Sequence, residues 1–182
     1  MEIEKTFIEG LLLVKPRVFT DARGFFLETY NELRYHEAGI CQHFIQDNMS
    51  YSSYGVVRGL HFQQPPHAQA KLVSVEQGRV WDVAVDLRRL SPTFGRWYGV
   101  ELTDENHWQF LIPRGMAHGF AVLSETAFFT YKCDNLYAPD SEGGILFNDP
   151  TLNIDWKIPP EHMILSDKDM HHPLLDDVKI LF

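Results

Sequence analysis

Trp81-Asp82-Val83-Ala84-Val85-Asp86-Leu87 alternates strictly: Trp81, Val83, Val85 and Leu87 share one face, and Asp82, Ala84 and Asp86 share the other. A period of two belongs to an extended strand, whose successive side chains point to opposite sides of a sheet. Similar segments are predicted at residues 71–75, 96–102, 108–112, 119–123 and 127–133, with an earlier alternating stretch at 44–48. Turn chemistry separates them at Gln77-Gly78, Ser91-Pro92-Thr93-Phe94-Gly95, Asp104-Glu105-Asn106 and Pro113-Arg114-Gly115. Many short strands at this spacing predict an all-β sandwich or barrel, whose closure limits exposed edges.

Outward from that block the pattern loosens. Residues 7–19 read as short extended pieces broken at Gly10 and Pro16. Asp21-Ala22-Arg23-Gly24 forms a turn, and the following strand candidate, Phe25 to Tyr30, places Phe26 and Glu28 on one face. One helix is predicted over 32–38: Asn31 caps its start, Glu32 suits the first turn and Gly39 supplies the stop. The last forty residues, rich in Pro and Asp, are expected to wrap over the barrel as loop and short helix. No repeat, low-complexity tract or linker interrupts residues 1–182, so one domain is expected, large enough to bury a real core.

Composition narrows the function classes. An apolar fraction of 45% with 23% charged residues marks a globular chain. A net charge of −9 argues against a nucleic-acid partner, which needs a basic face, but leaves room for a small anion held by a few Arg residues. Cys41 and Cys133 lack metal spacing and suit reduced thiols in a cytoplasmic protein. The acidic start shows no signal peptide, and no apolar run is long enough to span a membrane.

Gly55-Val56-Val57-Arg58-Gly59-Leu60-His61-Phe62-Gln63 sets a guanidinium three residues from an imidazole on a strand-like apolar run. Arg58 offers a fork of donors suited to phosphate, and His61 exchanges its proton near neutral pH. The pair suggests an enzyme acting on a phosphorylated or nucleotide-linked molecule; an Arg paired with a surface carboxylate and a hydrogen-bonded core His fit the same residues.

Pro113-Arg114-Gly115-Met116-Ala117-His118 has the P-x-G-x-x-H form of the second cupin motif. The matching first segment is His61-Phe62-Gln63, with Gln where a metal cupin carries its second ligand, and no acid follows at suitable spacing. Two His residues fall short of the three protein ligands that a catalytic metal needs, so no bound metal is expected. His171-His172 beside Pro173 reads as a surface tail rather than a metal pair.

Asp21-Ala22-Arg23-Gly24-Phe25-Phe26-Leu27-Glu28, Gln46-Asp47-Asn48, Arg58 to Gln63, Asp82 to Asp86, Ser91 to Gly95, Ala117-His118-Gly119-Phe120 and Leu165-Ser166-Asp167-Lys168-Asp169 follow one another along the chain. Taken in that order, these motifs resemble the dTDP-4-dehydrorhamnose 3,5-epimerase family. The resemblance implies a cupin-like jelly-roll barrel with a few short peripheral helices, a homodimer with exchanged N-terminal strands, and no cofactor. It implies an isomerase acting on a dTDP-linked 4-keto-6-deoxyhexose in dTDP-L-rhamnose synthesis.

By that resemblance His61 is the base, Asp169 orients its imidazole, Lys71 faces the developing enolate and Tyr131 donates a proton from the opposite face. Read from the residues alone, Asp169 is a solvated tail acid, Lys71 a strand-edge lysine and Tyr131 a core tyrosine with a satisfied hydroxyl. The resemblance further assigns Arg23 and Arg58 to the diphosphate, Glu28, Gln46 and Asn48 to polar contacts, Tyr137 to the nucleotide, Phe26 to closure from a partner subunit, and His118 to a second active-site imidazole. Departures are Met116 for a usual Phe and Trp156-Lys157 for a usual Trp-Pro. Rival readings are a single-centre epimerase of the same fold, a nucleotide-sugar binding module without activity, and a metal cupin oxygenase.

Overall fold

The computed structural model describes residues 1–179 and Phe182. Thirteen strands dominate: β1 (Glu2–Lys5), β2 (Leu12–Lys15), β3 (Val18–Asp21), β4 (Gly24–Leu27), β5 (Gln46–Ser53), β6 (Val57–Gln63), β7 (Lys71–Gln77), β8 (Arg79–Asp86), β9 (Trp97–Thr103), β10 (Gln109–Ile112), β11 (Met116–Val122), β12 (Thr126–Cys133) and β13 (Glu142–Gly144). Two short helices, α1 (Glu32–Glu37) and α2 (Asp167–Met170), lie outside them. A six-stranded sheet runs β1-β2-β10-β7-β12-β5, and a five-stranded sheet runs β13-β6-β11-β8-β9. Every pairing within the two sheets is antiparallel. β3 and β4 form a separate ribbon. Two facing sheets in this order make the cupin-like β fold expected from the alternating segments. Among the described residues no helix is long and apolar enough to cross a membrane.

The 81–87 stretch falls on β8 and just beyond, and both of its faces are buried. Val80 and Ala84 point between the sheets, where they meet Val73, Phe110, Phe120 and Phe129. Val83, Val85 and Leu87 point the other way and are covered by Ile145, Leu152, Trp156, Ile158 and Leu175 of the C-terminal segment. That segment is therefore a third layer. Its polar groups are tied down: Trp97 Nε1 donates to the Leu152 carbonyl at 2.9 Å, and buried Asp149 accepts from the amides of Thr151, Leu152 and Leu175. Each apolar side chain buried in this way contributes about 1.5–3 kcal/mol.

The outer face of the six-stranded sheet is sealed by α1. Tyr35 and Ile40 pack on Val14, Leu72 and Leu111, and the Tyr35 hydroxyl lies 2.6 Å from Gln109 Oε1. Asn31 caps the helix as expected, its side chain accepting from the Arg34 amide at 3.2 Å.

One irregularity decides where the site sits. β6 and β11 slip in register between His118 and Phe120: His118 opposes His61, while Phe120 opposes Arg58. Three residues of β6 thus span two of β11, with Gly59 (φ 124°) as the extra one. The alternation reverses there. Val57, Leu60 and Phe62 all face the C-terminal layer, which leaves Arg58 and His61 together on the opposite, barrel-interior side.

Candidate active site

His61 and Tyr131 approach one cavity from different walls. His61 stands on β6 of the five-stranded sheet and Tyr131 on β12 of the six-stranded sheet. The cavity, of about 360 Å³, is lined by both, with Gln46, Asn48, Gln63, Gln69, Lys71, Cys133, Tyr137 and Glu142 among the other residues. It lies at the mouth of the barrel, where the inward rows of β5, β6, β7 and β12 converge.

The His61 Nε2 lies 2.5 Å from Oδ1 of Asp169. α2 delivers that carboxylate: Ser166 caps the helix by accepting the Asp169 amide at 3.1 Å, and the Asp169 side chain is only 5% exposed. Asp169 is thus no solvated tail acid. Burial pushes its carboxyl up, but hydrogen bonds from His61, Ser166 and the Gly59 amide outweigh it and hold the group below the ordinary carboxylate value. An ionised acceptor at this distance places the imidazole proton on Nε2 and leaves Nδ1 basic.

Lys71 opens β7 on the same inward row as Val73 and Val75. It is no strand-edge lysine in water: burial lowers the pKa of its ammonium, and its Nζ lies 5.7 Å from the centroid of the Tyr131 ring. Burial likewise raises the Tyr131 phenol, which keeps its proton at neutral pH. Cys133, next on that row, is pushed up to about 11 by burial and stays a neutral thiol.

Behind the cavity, His118 is buried with its Nε2 3.0 Å from both carboxylate oxygens of Asp82, its ring stacked on Phe129. Burial drives His118 down and Asp82 up. Asp82 shares the inward face with Ala84, and its partnership with His118 carries no signal in the sequence.

At the rim, Gln46 accepts the Tyr137 amide at 3.0 Å and donates to Asn48 at 3.1 Å. The Tyr137 hydroxyl donates to Glu142 at 2.9 Å, and Glu142 pairs with Lys168 at 2.6 Å. Glu142 had no signal in the sequence; it arrives through the pairing of β13 with β6. The Gln63 amide is fully used: it donates to the carbonyls of His67 and Leu136 and accepts from the Ala138 amide, so it braces the Tyr137 loop. Arg58 donates through Nε and Nη2 to Ser52 Oγ at 3.2 and 3.1 Å.

Three expected residues lie elsewhere within this chain. Arg23 and Phe26 stand on the β3–β4 ribbon, where Arg23 pairs with Asp21 and Phe26 is 69% exposed. Glu28 accepts from Arg34 and Asn31 beside α1. The His171-His172 expectation needs correction for its second member. The His172 side chain is only 11% exposed and its ring packs on the backbone of Gly144, 5.6 Å from the ring of His61.

The family model for dTDP-4-dehydrorhamnose 3,5-epimerase matches residues 5–177. The chain belongs to that family. It is 51% identical over 172 residues to the dTDP-4-dehydrorhamnose 3,5-epimerase of Shigella flexneri, covering 94% of each chain. Among solved structures, the dTDP-4-dehydrorhamnose 3,5-epimerase of Elizabethkingia anophelis matches with 58% identity and a TM-score of 0.94, over 97% of both chains. The dTDP-6-deoxy-D-glucose-3,5-epimerase of Legionella pneumophila, in complex with dTDP-4-keto-L-rhamnose, matches with 50% identity and a TM-score of 0.94, over 98% of this chain and 94% of that one. Family membership makes this epimerase an isomerase.

Proposed function

We propose that this epimerase inverts C3 and C5 of dTDP-4-dehydro-6-deoxy-D-glucose to give dTDP-4-dehydro-L-rhamnose, with His61 as base and Tyr131 as acid. The observation that carries the reading is the placement of His61 and Tyr131 on opposite sheets around one cavity. Inversion of a carbon requires removal of its hydrogen from one face and return from the other. The C4 ketone of the substrate acidifies both neighbouring C–H bonds. His61 Nδ1 takes the proton, the electron pair moves into the carbonyl, and an enolate forms. Protonation from the Tyr131 hydroxyl on the far side restores the ketone with the centre inverted. No electrons are gained or lost overall, and His61 gives its proton to solvent while the Tyr131 phenolate takes one back before the second centre turns over.

Lys71 stabilises the enolate oxygen: a cation held in a buried site acts more strongly than one in water and needs no reorganisation as charge develops. Asp169 fixes the His61 tautomer and stabilises the imidazolium. His118 backs the site as a second, positional imidazole held by Asp82. Arg58, an exposed residue of β6, exchanges its Ser52 hydroxyl for phosphate oxygens when the diphosphate enters. Gln46 and Asn48 supply polar contacts to the nucleotide and sugar, and Tyr137 offers an exposed ring for the base.

Arg23, Phe26 and Glu28 complete a site in a second copy of the chain, within a homodimer that exchanges N-terminal strands. Support comes from the ribbon itself, which joins neither sheet and exposes Phe19, Phe25 and Phe26. Light scattering should give twice the chain mass. A cytoplasmic location fits Cys41 and Cys133, both free thiols.

The test is product analysis in deuterated water with the thymidine-linked ketosugar. Solvent deuterium should enter at both C3 and C5, and His61→Ala should slow entry by roughly 10²–10⁴-fold while nucleotide affinity survives. Label at C3 alone would remove the double inversion, and unchanged exchange in His61→Ala would remove the base.

A further inference from the structure

Beside the proposed base stands a group with no part in that chemistry. His172 Nε2 is buried and has no hydrogen-bond partner. It lies 3.5 Å from Asp169 Oδ1, close enough for an ion pair but outside a hydrogen bond. The ring is fixed rather than loose. A Cβ on Gly144 would fall within 2.3–2.5 Å of three of its atoms, so only glycine admits it there, and the next residue, Pro173, is anchored by its carbonyl to the Leu146 amide at 2.9 Å. An orphaned buried nitrogen aimed at a carboxylate asks for something between them.

The geometry points to a site for a zinc-class divalent transition metal formed by His61, Asp169 and His172, at which the ion withdraws His61 from catalysis. One ring nitrogen from each of His61 and His172 and a carboxylate oxygen of Asp169 lie within 4.8 Å of one another. Ligands about 2.0–2.1 Å from a tetrahedral ion stand about 3.3 Å apart. The His172–Asp169 separation, 3.5 Å, is close to that, the His61–Asp169 pair at 2.5 Å would open by less than about 1 Å, and the two imidazole nitrogens, within 4.8 Å of each other, would close by at most about 1.5 Å. Two imidazoles and one carboxylate, with a fourth position for water, are a donor set that zinc takes readily. A second cavity, lined by Glu142, Gly144, Lys168 and His172, lies on the His172 side and shares Glu142 with the substrate cavity. A neutral imidazole that binds the ion through Nε2 carries its one ring proton on Nδ1, so the proton shifts from Nε2 to the nitrogen that serves as base, and Asp169 becomes a ligand instead of an acceptor. The site differs from the metal position implied by the cupin motifs, where Gln63 is spent on bracing a loop. The loss of activity rests on His61 being the base; the affinity for metal does not.

The experiment titrates chelator-treated full-length protein with Zn2+ against a competing chromophoric chelator at neutral pH, using wild type and His172→Ala, and then measures epimerisation at the same free zinc. One zinc per chain is expected in wild type, with at least tenfold weaker binding in His172→Ala and at least a tenfold higher zinc concentration for half-inhibition. Equal affinity in the two proteins, or no stoichiometric binding in wild type, overturns the site. Stoichiometric binding without inhibition would keep the site and count against His61 as the base. Should His172→Ala melt early, Co2+ added to wild type decides: visible absorption of four- or five-coordinate cobalt supports the site, and its absence at saturating metal overturns it.

Discussion

Gly59 lies so near Gly119 that a Cβ added to it would sit 2.6 Å from the Gly119 Cα and 2.7 Å from the His118 carbonyl oxygen. The contact is reciprocal, since a Cβ on Gly119 would meet the Arg58 carbonyl at 2.7 Å. Two bare backbones thus cross where β6 slips by one residue, and that slip turns Arg58 and His61 to the same side. A phosphate-binding cation and a proton-transfer group three residues apart on a regular strand would face opposite ways. The glycine pair is what makes the motif a site.

Gly59→Ala should therefore cost more than backbone strain. Gly24 offers a control, because its φ of 125° nearly equals the 124° of Gly59 while nothing lies within 4 Å of its added Cβ. Gly24→Ala is expected to lose about 1–3 kcal/mol, the cost of a side chain in that conformation. Gly59→Ala adds a clash with backbone that cannot swing aside, for a loss on the order of 4 kcal/mol or more. Urea denaturation of the two variants checks this, and equal losses would refute the crossing as the cause.

The alternation at 81–87 made the fold legible, and the cap at Asn31 made the helix legible. Both are local signals. The end of β5 was not legible, because Met49 and Tyr51 are exposed and Ser50 and Ser52 are small and polar, so no apolar face marks the strand. Residues 116–118 read as the tail of a turn motif, yet they begin β11. Within the site, His61, Lys71 and Tyr131 could be placed on strands. Their convergence depended on sheet pairing and on the slip at Gly59, and Glu142 and His172 were brought in by contacts more than 75 residues distant from His61, which no periodicity records.

Asp86 should make the fold sensitive to acid. Its carboxylate is fully buried, and burial alone would raise its pKa. The Arg88 guanidinium at 2.8 Å, the Ser91 and Thr93 hydroxyls at 2.6 Å and the Arg88 amide outweigh that and hold it at about 2. A carboxyl lowered from 3.8 contributes stability that is present in full above about pH 4 and disappears as pH falls towards 2. The contribution is about 2 kcal/mol. Denaturation curves between pH 6 and 2 should show Asp86→Asn less stable than wild type at pH 6, with the gap closing by about that amount at pH 2. A gap independent of pH would refute the assignment.

Asp169→Asn keeps the size of the side chain and removes the charge that selects the Nε2–H tautomer. The amide can turn its NH2 towards His61 and place the basic nitrogen on the wrong side of the ring. A loss of about 10²–10⁴ in kcat is expected with KM changed little, because a tautomer affects the chemical step more than nucleotide binding. Steady-state kinetics on the thymidine-linked ketosugar measure it; a KM effect alone would place Asp169 in binding.

Tyr131→Phe separates the two halves of the inversion. The phenyl ring can still cover the wall beside Phe129 and Lys71, so folding should survive. Removal of the C–H proton by His61 needs no phenol, whereas return of a proton on the far face does. In deuterated water the variant should therefore exchange substrate hydrogen with retained configuration, the label being returned by the same imidazole. Formation of the inverted product should fall by roughly 10²-fold or more. NMR of recovered substrate reads exchange, and chromatography reads product. If exchange and product fell together, the proton would not be arriving from Tyr131 in a separate step, and the division of labour between the two sheets would be wrong.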